Sequence, residues 1–289
     1  MDSLRPRRSV LYMPAANERA LEKAKAIPAD AIIFDLEDAV SPDAKDIARA
    51  QAVAAAGSGE YGRRELTIRC NGLSTPWGAD DVAAAARASI AAVVIPKVDT
   101  ADDVDRVSAA LDSAGAPASL SIWAMIETPI AIFEARSIAA HPRVSVLVMG
   151  TNDLNRELRS TPVADRAPLV PHLSTALLAA RASGKPILDG VYNDIKNLDG
   201  LRAECLQGMT MGFDGKTLIH PDQVAVANDV WTPSASEIDH ARTVIAAFDD
   251  ALAAGKGVVQ LDGRMIENLH VENARRILAV AEAIAGSTA

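Results

Sequence analysis

The sequence lacks the features that mark membrane, secreted and disulfide-stabilised proteins. No apolar run approaches the roughly 18 residues that a membrane span needs. The N-terminus, MDSLRPRRSVLYMP, has neither the apolar core nor the small-residue cleavage site of a secretory signal. Only two cysteines occur, Cys70 and Cys205, and they fit no metal-ligand spacing or disulfide framework. We therefore expect a soluble, cytoplasmic protein that binds no membrane and whose two thiols are buried.

Positive charge is also scarce. The 29 lysines and arginines are outnumbered by 38 aspartates and glutamates, which leaves a net charge of −9 at pH 7. The sequence pI is about 5.1, and the basic residues are scattered along the chain. Binding to nucleic acid depends on concentrated positive charge. The composition thus predicts no nucleic-acid partner.

Several common catalytic motifs are missing as well. The chain has no G-x-S-x-G turn for a serine nucleophile and no H-E-x-x-H pair for zinc. One segment, GSGEYG at 57–62, does fit G-x-G-x-x-G, but it follows a predicted helix and precedes a predicted strand. A dinucleotide-binding loop has the reverse order, strand and then helix. We interpret 57–62 as a connecting loop.

What the chain does have is a regular alternation of short apolar runs and helical segments. The runs have the length of buried strands and end in polar or turn-forming residues. The eight predicted strands cover residues 9–13, 31–34, 66–70, 91–95, 119–126, 143–149, 186–191 and 209–213. Most are followed by a helix, which predicts an α/β fold, the (β/α)8 TIM barrel of about 250 residues. An open, doubly wound sheet is the alternative, although it usually needs fewer strands.

The length of the chain leaves room for more than the barrel. With 289 residues and 49% hydrophobic content, it can bury a barrel-sized core and an appendage. We assign 1–230 to the barrel and 231–289 to a C-terminal helical segment with a lid loop. Ser234 or Ser236 can cap a first helix there, and a second helix is predicted at 271–284. Both are amphipathic and are joined by a glycine-rich stretch, so we expect them to pack on the barrel or on a neighbouring subunit.

Charged residues concentrate at one end of the predicted strands. Nine of them stand at or just beyond the carboxyl end of a strand: Asp35, Glu37, Asp38, Arg69, Lys97, Glu127, Asp153, Asp189 and Asp214. The opposite strand ends carry little comparable chemistry. Barrel enzymes build their sites at the carboxyl ends of the strands, so this distribution predicts an enzyme.

Glu127 and Asp153 follow two neighbouring strands. Parallel strands lie about 4.8 Å apart, so two carboxylates at the same depth can share one hard cation such as Mg²⁺. The alternative is that each carboxylate caps the helix that follows it, but the recurrence of acids at other strand ends favours the metal site. Lys97 can form a Schiff base in principle. The acids around it favour a role as their charged partner.

Eight motifs, in order along the chain, resemble the citrate lyase β-subunit family of the HpcH/HpaI aldolase group, which includes the malyl-CoA and citramalyl-CoA lyases. They are RSVLYMPAAN at 8–17, DLEDAV at 35–40, IRCNG at 68–72, PKV at 96–98, MIETP at 125–129, GTNDL at 150–154, GKTLIHPDQV at 215–224 and GRMIE at 263–267. The resemblance implies a lyase that uses Mg²⁺, with Mn²⁺ as the alternative ion. Its reaction would split a malyl-, citramalyl- or citryl-type 3-hydroxyacyl-CoA into acetyl-CoA, or an analogue, and a 2-oxo acid.

The resemblance also implies roles for individual residues at the reacting centre. Glu127 and Asp153 would hold the metal, and Glu37 and Asp38 would orient its water ligands and Arg69. Arg69 would face the substrate oxygen that carries negative charge during the reaction.

The same resemblance implies a binding site for the CoA thioester. Tyr12, Arg19 and Lys23 follow the first strand as the family's nucleotide contacts do. Ile219 and His220 match the family's IHP contact after the eighth strand.

One position departs from the family pattern. The motif GRMIE ends in Glu267, where the family usually has an aspartate that serves as acid or base. Moving a carboxylate by ~1 Å can cost on the order of a hundredfold in rate, so Asp262 is an alternative donor. The family's C-terminal segment closes over a neighbouring subunit, which implies a homo-oligomer, a trimer or a pair of trimers.

Two other functions compete with the lyase. One is a thioesterase of the malyl-CoA type, in which the C-terminal carboxylate would activate water. The other is a citrate lyase β-subunit that acts on a substrate bound to an acyl carrier, or a weakly active CoA-binding subunit. Release of a free acid without a 2-oxo acid would identify the thioesterase, and dependence on an acyl carrier would identify the subunit.

Overall fold

A computed structural model describes residues 5–288 of the chain. Within Arg7–Val230, eight parallel strands close into a barrel in the order in which they occur, and β1 pairs with β8. They are β1 Ser9–Pro14, β2 Ala31–Asp35, β3 Glu65–Arg69, β4 Ala92–Ile95, β5 Ser121–Ile126, β6 Val144–Met149, β7 Ile187–Asp189 and β8 Gly215–Leu218. The predicted (β/α)8 fold is confirmed, since an open sheet would leave two unpaired edge strands.

Helices connect the strands of the barrel. They are α1 Glu18–Ala24, α2 Lys45–Gly57, α3 Gly78–Ala85, α4 Ala101–Ser113, α5 Pro129–Ala140, α6 Thr151–Leu158, α7 Val170–Ala182, α8 Leu198–Met211 and α9 Gln223–Trp231. Several begin where the sequence supplies a cap. The side chain of Asn17 accepts a hydrogen bond from the backbone N–H of Ala20 in α1, and Thr128 accepts one from Ala131 in α5. No helix within residues 5–288 is long and apolar enough to cross a membrane.

Alternate residues of the strands fill the barrel interior. Their buried cluster consists of Val10, Ala31, Ile33, Ala92, Val94, Trp123, Met125, Val146, Val148 and Leu188. Successive side chains of a strand point to opposite sides, so the residues two positions beyond Ile33 and Met125 also face inward. These are Asp35 and Glu127, at the carboxyl end of the barrel. Arg69 lies beside Asp35 in the register of β2 and β3.

The eighth strand was predicted in the wrong place. β8 covers Gly215–Leu218, whereas residues 209–211 form the last turn of α8. The helix ends at Gly212, whose φ of 110° lies in the left-handed region that favours glycine. The letters MTMGF suggested a buried strand, but Met209 is exposed on the helix surface.

Two of the nine charged residues therefore lie away from the expected site. Asp214 precedes β8, at the amino-terminal end of the barrel, where its carboxylate accepts the backbone N–H of Ile187 at 2.8 Å. Asp189 does end β7, but it pairs in register with Lys216 on β8. Because Leu188 faces the interior, Asp189 and Lys216 face outward.

Asp189 and Lys216 belong to a buried charge cluster behind the barrel wall. Nζ of Lys216 lies 3.3 Å from Asp189 Oδ2 and 2.6 Å from Oε1 of Glu204 on α8. Nη1 of Arg166 lies 2.8 Å and 2.9 Å from the two oxygens of Asp189. Burial alone would raise the pKa of Asp189, but Lys216 and Arg166 outweigh it and hold that pKa below its ordinary value. The cluster ties the segment before α7 to the barrel.

The second unit comprises the chain from Trp231 onward together with Arg5 and Pro6. Its elements are α10 Ala235–Ala253, β9 Val259–Leu261, β10 Arg264–Ile266 and α11 Asn268–Thr288. Ser234 caps α10 in a reciprocal pair with Glu237. The unit has its own buried cluster, consisting of Ala241, Val244, Phe248, Ile266, Val271 and Ala274. Part of the apolar face of each helix is buried in this core, and the packing of these helices on the barrel or on a neighbouring subunit stays a prediction.

The glycine-rich stretch between these helices is a β-hairpin. β9 and β10 are antiparallel, and the turn between them is Asp262-Gly263, with φ values of 47° and 78°. Two positive φ values suit a two-residue hairpin turn, for which Asp-Gly is a preferred sequence. The sequence analysis described this stretch only as a loop. Glu267 directly follows β10 and precedes α11.

The buried charge cluster can be tested by removing one partner. We expect Asp189→Asn to lower the free energy of unfolding by about 3–5 kcal/mol, because the Lys216 and Arg166 charges would stay buried without their partner. The matched control is Asp229→Asn, which removes an exposed pair with Arg202 (2.6 Å) and should cost less than about 1 kcal/mol. Urea unfolding measures both, and equal losses would contradict the assignment.

The same cluster predicts a pH dependence. The folded-state pKa of Asp189 is depressed, so its contribution is complete above the unfolded pKa of about 3.9. It should disappear as the pH falls through the lower, folded-state value. Urea unfolding of wild type and Asp189→Asn across the acid range should therefore converge, and a constant gap would contradict the prediction.

Candidate active site

Arg69 is the centre of a charged cluster at the carboxyl end of the barrel. Its guanidinium binds Asp35 in a two-pronged pair, with Nε 2.7 Å from Oδ1 and Nη2 2.7 Å from Oδ2. The ring of Tyr12 packs against it, 4.8 Å from the guanidinium carbon to the ring centroid. Burial would lower the pKa of Arg69, but Asp35 outweighs that effect and the pKa lies well above its ordinary value. The group is a fixed and permanent positive charge.

The third nitrogen of Arg69, Nη1, faces the loop after β2. It lies 2.8 Å from Glu37 Oε2 and 3.1 Å from Asp38 Oδ2. The Glu37 contact is an ion pair that is not aligned as a hydrogen bond, and Oε2 has no hydrogen-bond partner among residues 5–288. Burial raises the pKa of Glu37, and Arg69 counteracts this only in part. The structure thus brings both acids named from the resemblance into contact with Arg69.

A buried lysine fixes the backbone that carries these acids. Nζ of Lys45, on α2, donates to the carbonyl oxygens of Leu36 (2.7 Å) and Glu37 (2.8 Å) and to Oδ1 of Asn71 (2.8 Å). Asn71 follows β3, so one ammonium joins the loops after β2 and β3. This role could not be predicted from the sequence, because Lys45 resembles any solvated lysine on a helix.

Glu127 and Asp153 converge on the ammonium group of Lys97. Nζ of Lys97 lies 3.8 Å from Glu127 Oε1, 3.8 Å from Asp153 Oδ1 and 3.4 Å from Glu37 Oε1. Glu127 is buried and its Oε1 also accepts the backbone N–H of Lys97 at 2.8 Å. Asp153 stands in the first turn of α6 and pairs with Arg156 at 2.6 Å. Carboxylates from three strand ends therefore surround one position that a cation occupies.

The carboxylates at this position fit a hard divalent cation. Burial raises the pKa of Glu127 to about 7; Lys97 opposes this shift, and Asp153 and Glu37 add to it. A carboxyl group in that environment gains from further positive charge nearby. Within residues 5–288 no group of three or more His, Cys, Asp or Glu side chains is arranged to hold a metal ion, and the metal ligands predicted from the sequence are the two carboxylates of Glu127 and Asp153. Mg²⁺ suits such a site because it retains several waters.

The geometry disfavours two alternatives that the sequence left open. Thr128, not Glu127, caps α5, and Glu127 instead accepts the backbone N–H of Lys97, which follows the neighbouring strand β4. A Schiff base requires a neutral amine, whereas the carboxylates around Lys97 outweigh its burial and raise its pKa. Lys97 is the charged partner of the acids, as the sequence suggested.

Gly150 lets Glu127 reach its position. A Cβ atom at residue 150 would lie 2.1 Å from Glu127 Oε2 and 2.4 Å from Glu127 Cβ. No residue other than glycine fits at position 150 without moving the Glu127 carboxylate. The glycine that opens the motif GTNDL is thus a packing requirement of the neighbouring strand.

The residues named for CoA binding fall into separate groups. Tyr12 lies inside the barrel mouth, against Arg69. Arg19 and Lys23 are exposed on α1, and Ile219 and His220 follow β8. The structure does not bring Tyr12 into contact with the basic pair, so its place favours a role at the reacting centre.

Gln223 is a buried residue that the sequence analysis missed. Its Oε1 accepts the backbone N–H groups of Ile219 (3.0 Å) and His220 (3.2 Å), and its Nε2 donates to the carbonyl oxygen of Tyr192 (2.9 Å). Tyr192 belongs to the loop after β7. One carboxamide therefore holds the loops after β7 and β8 together, and its place in the motif IHPDQ was the available signal.

Glu267 lies in the second unit, at the start of α11. Its backbone N–H donates to Nδ1 of His270 at 3.0 Å, so His270 caps the helix start. The side chain of Glu267 is half-buried, whereas Asp262 lies in the exposed hairpin turn.

We expect Gly150→Ala to weaken Mg²⁺ binding by about tenfold or more, because the new Cβ would displace the Glu127 carboxylate and supporting residues typically have effects of this size. Gly57→Ala is the control, since a Cβ at that position meets no atom within 4 Å. Calorimetric titration with Mg²⁺ measures the effect, and circular dichroism checks the fold. A folded Gly150→Ala protein with wild-type affinity would show that Glu127 does not hold the metal.

Comparisons with known proteins agree with this geometry. The family model described as HpcH/HpaI aldolase/citrate lyase matches residues 8–221. The chain is 52% identical over 280 residues to a (3S)-malyl-CoA thioesterase of Cereibacter sphaeroides, covering 97% of this chain and 96% of the relative. It is 36% identical over 284 residues to citrate lyase subunit beta of Escherichia coli, covering 96% and 94%. The protein CitE of Mycobacterium tuberculosis, solved with magnesium, acetoacetate and coenzyme A, is similar with a TM-score of 0.79 and 29% identity, covering 95% and 97%.

Proposed function

We propose that this chain, which belongs to the HpcH/HpaI aldolase/citrate lyase family, hydrolyses a CoA thioester of the malyl-CoA type with the help of Mg²⁺. The family assignment predicted from the motifs is confirmed. The observation that carries the proposal is the 52% identity, over 97% of the chain, to a (3S)-malyl-CoA thioesterase. The lyase, which the sequence favoured first, becomes the second candidate.

Glu127 and Asp153 would hold Mg²⁺, with Mn²⁺ as the alternative ion. When bound, the ion would act as a Lewis acid toward substrate oxygens. Arg69 places its Nη1 toward the same space, and Asp35 fixes the guanidinium so that its charge needs no rearrangement during the reaction. Glu37 contacts both Arg69 and Lys97 and thereby links the two halves of the site.

Hydrolysis needs a base and a stabilised oxyanion. Glu267 takes a proton from water, and the water oxygen attacks the thioester carbonyl carbon. Arg69 stabilises the negative charge that develops on the carbonyl oxygen. The carbon–sulfur bond then breaks, and Glu267 returns its proton to the CoA thiolate, which leaves a free acid and CoA.

Carbon–carbon cleavage is the second candidate, supported by the similarity to citrate lyase subunit beta. In this reaction a base removes the proton of the 3-hydroxyl group, and the bond between C2 and C3 breaks. The electron pair passes into the thioester enolate, whose oxygen Arg69 can stabilise. Protonation of the enolate carbon gives acetyl-CoA beside the 2-oxo acid. A substrate on an acyl carrier in place of CoA would follow the same steps.

The CoA thioester would extend from Arg69 across the mouth of the barrel. Arg19 and Lys23 offer exposed positive charge for its phosphates, and Ile219 and His220 form an edge held by Gln223. The cytoplasmic location and the lack of nucleic-acid and membrane partners remain predictions.

Product analysis tests the function. The purified protein is incubated with malyl-, citramalyl- and citryl-CoA and Mg²⁺, and the products are identified by mass spectrometry. We expect malate and CoA from malyl-CoA. In a kinetic comparison with wild type, Arg69→Lys should lower kcat by roughly two orders of magnitude with a smaller change in KM. Appearance of a 2-oxo acid and acetyl-CoA would favour the lyase, and activity only on an acyl carrier would favour the subunit. A change in KM alone would make Arg69 a substrate anchor.

The proposal includes a homo-oligomer, a trimer or a pair of trimers, in which Glu267 serves a neighbouring barrel. Apolar side chains that remain exposed on the second unit support it, with exposures of 53% for Leu252, 61% for Met265 and 59% for Leu269. Mixing inactive Glu267→Gln and inactive Asp153→Ala subunits should restore part of the activity after exchange. Glu282→Gln, on the exposed side of α11, is the control and should stay active. Exchange seen by native mass spectrometry without recovery would contradict the shared site.

A further inference from the structure

We propose that Lys97 is an internal counter-cation of the metal site, which neutralises its carboxylates while no metal is bound and is displaced when one binds. The proposal rests on the assignment of Glu127 and Asp153 as metal ligands. Lys97 would act before substrate binds. Removing its charge should therefore strengthen metal binding.

The ammonium group of Lys97 lies among three carboxylates. Nζ of Lys97 stands 3.4 Å from an oxygen of Glu37 and 3.8 Å from oxygens of Glu127 and Asp153. Among the ion pairs that residues 5–288 form, only Lys97 reaches all three of these acids. Three carboxylates so close together repel one another strongly. The ammonium therefore holds them together until another cation replaces it.

The backbone of Lys97 also contacts one of these carboxylates. Its φ of 52° lies in the left-handed region, which is unfavourable for a residue with a Cβ atom. In this conformation its N–H donates to Glu127 Oε1 at 2.8 Å, the same oxygen that the ammonium approaches. Main chain and side chain of one residue thus converge on one metal ligand. When the ammonium leaves, the N–H still holds Glu127 in place.

The side chain of Lys97 is free to move away from the carboxylates. The Lys97 side chain is 45% exposed, whereas Lys216 and Lys45 are buried in fixed contacts. Lysine has a long, flexible stem and a compact charge that water solvates well. It can therefore turn toward solvent without breaking a buried network.

The Lys97 ammonium and a divalent cation would compete for the same carboxylates. A divalent cation bound to Glu127 and Asp153 would lie close to the ammonium, and the two positive charges would repel each other. Lys97 thus weakens metal binding while it stabilises the metal-free protein. The consequence is a site that stays folded without metal and exchanges it readily.

The test is metal binding by the substrate-free, full-length protein. We expect Lys97→Met, which keeps the length and removes the charge, to bind Mg²⁺ and Mn²⁺ about tenfold more tightly than wild type. Lys97→Arg should stay near the wild-type affinity because it keeps the charge. Lys185→Met, at a half-buried lysine in the connection before β7 at the opposite end of the barrel, is the matched control and should change nothing. Isothermal titration with Mg²⁺ and electron paramagnetic resonance of free Mn²⁺ give the dissociation constants.

Thermal unfolding provides a second readout that does not depend on activity. In chelator, Lys97→Met should unfold at a lower temperature than wild type, because the carboxylates then repel each other. Added Mg²⁺ should raise its Tm by more than it raises that of wild type. If Lys97→Met is too unstable to titrate, Lys97→Gln serves the same comparison.

The outcomes separate this proposal from the assignment of the site. If wild type binds metal and Lys97→Met binds it with equal or lower affinity, the counter-cation role is wrong while the metal site stands. If wild type binds no divalent cation and Glu127→Gln is indistinguishable from it, both fail.

Discussion

The mouth of the barrel holds more negative charge than its own basic groups balance. The carboxylates that lie within ion-pair distance of a basic group there belong to Asp35, Glu37, Asp38, Glu127 and Asp153. Three cations face them, from Arg69, Lys97 and Arg156. Arg156 also pairs with Glu157 at 3.2 Å, so the acids outnumber the cations when all are ionised, and a divalent ion would reduce that excess. Burial is the main reason why the pKa of Glu127 is raised to about 7, and the nearby charges of Asp153 and Glu37 add to the shift that Lys97 opposes.

Such an arrangement holds only if the backbone beneath it is rigid, and buried side chains provide that rigidity. Lys45 joins the loops after β2 and β3, and Gln223 joins those after β7 and β8. Gly150 leaves room for Glu127 between β5 and β6. None of these three residues is a reacting group in the proposed chemistry. They determine where the reacting groups stand, which is how residues outside the reacting set influence a metal site.

Much of the site could be predicted because strand periodicity and strand direction are visible in a sequence. Glu127 and Asp153 end two apolar runs, and parallel strands bring such ends to one edge. The exceptions have physical causes. Asp189 also ends a strand but faces outward, because it directly follows the inward-facing Leu188. Glu127, in contrast, lies two positions beyond the inward-facing Met125. Asp214 was predicted at the wrong end of the barrel, because the apolar residues at the end of α8, before Gly212, were interpreted as a strand.

Contacts between distant segments could not be predicted in this way. Lys45 and Asn71 meet across 26 positions, and nothing local marks either one as buried. The hairpin turn at Asp262-Gly263 was different, since Asp-Gly between apolar residues is a strong local signal that the sequence analysis overlooked. The motif resemblance identified the family, but it did not indicate which groups hold the acids in place.

The position of Asp153 in the first turn of α6 limits where insertions and deletions can occur in this chain. Asp153 is carried by a helix that begins at Thr151, directly after the glycine that makes room for Glu127. One inserted residue in that turn would rotate the aspartate by about 100° around the helix axis and move it by about 1.5 Å along it. The connection at 58–64 lies at the opposite end of the barrel, where Cβ atoms at Gly59 and Gly62 would meet nothing within 4 Å. Insertions and deletions between homologues should therefore accumulate at that end, while the stretch between β6 and Asp153 keeps a constant length.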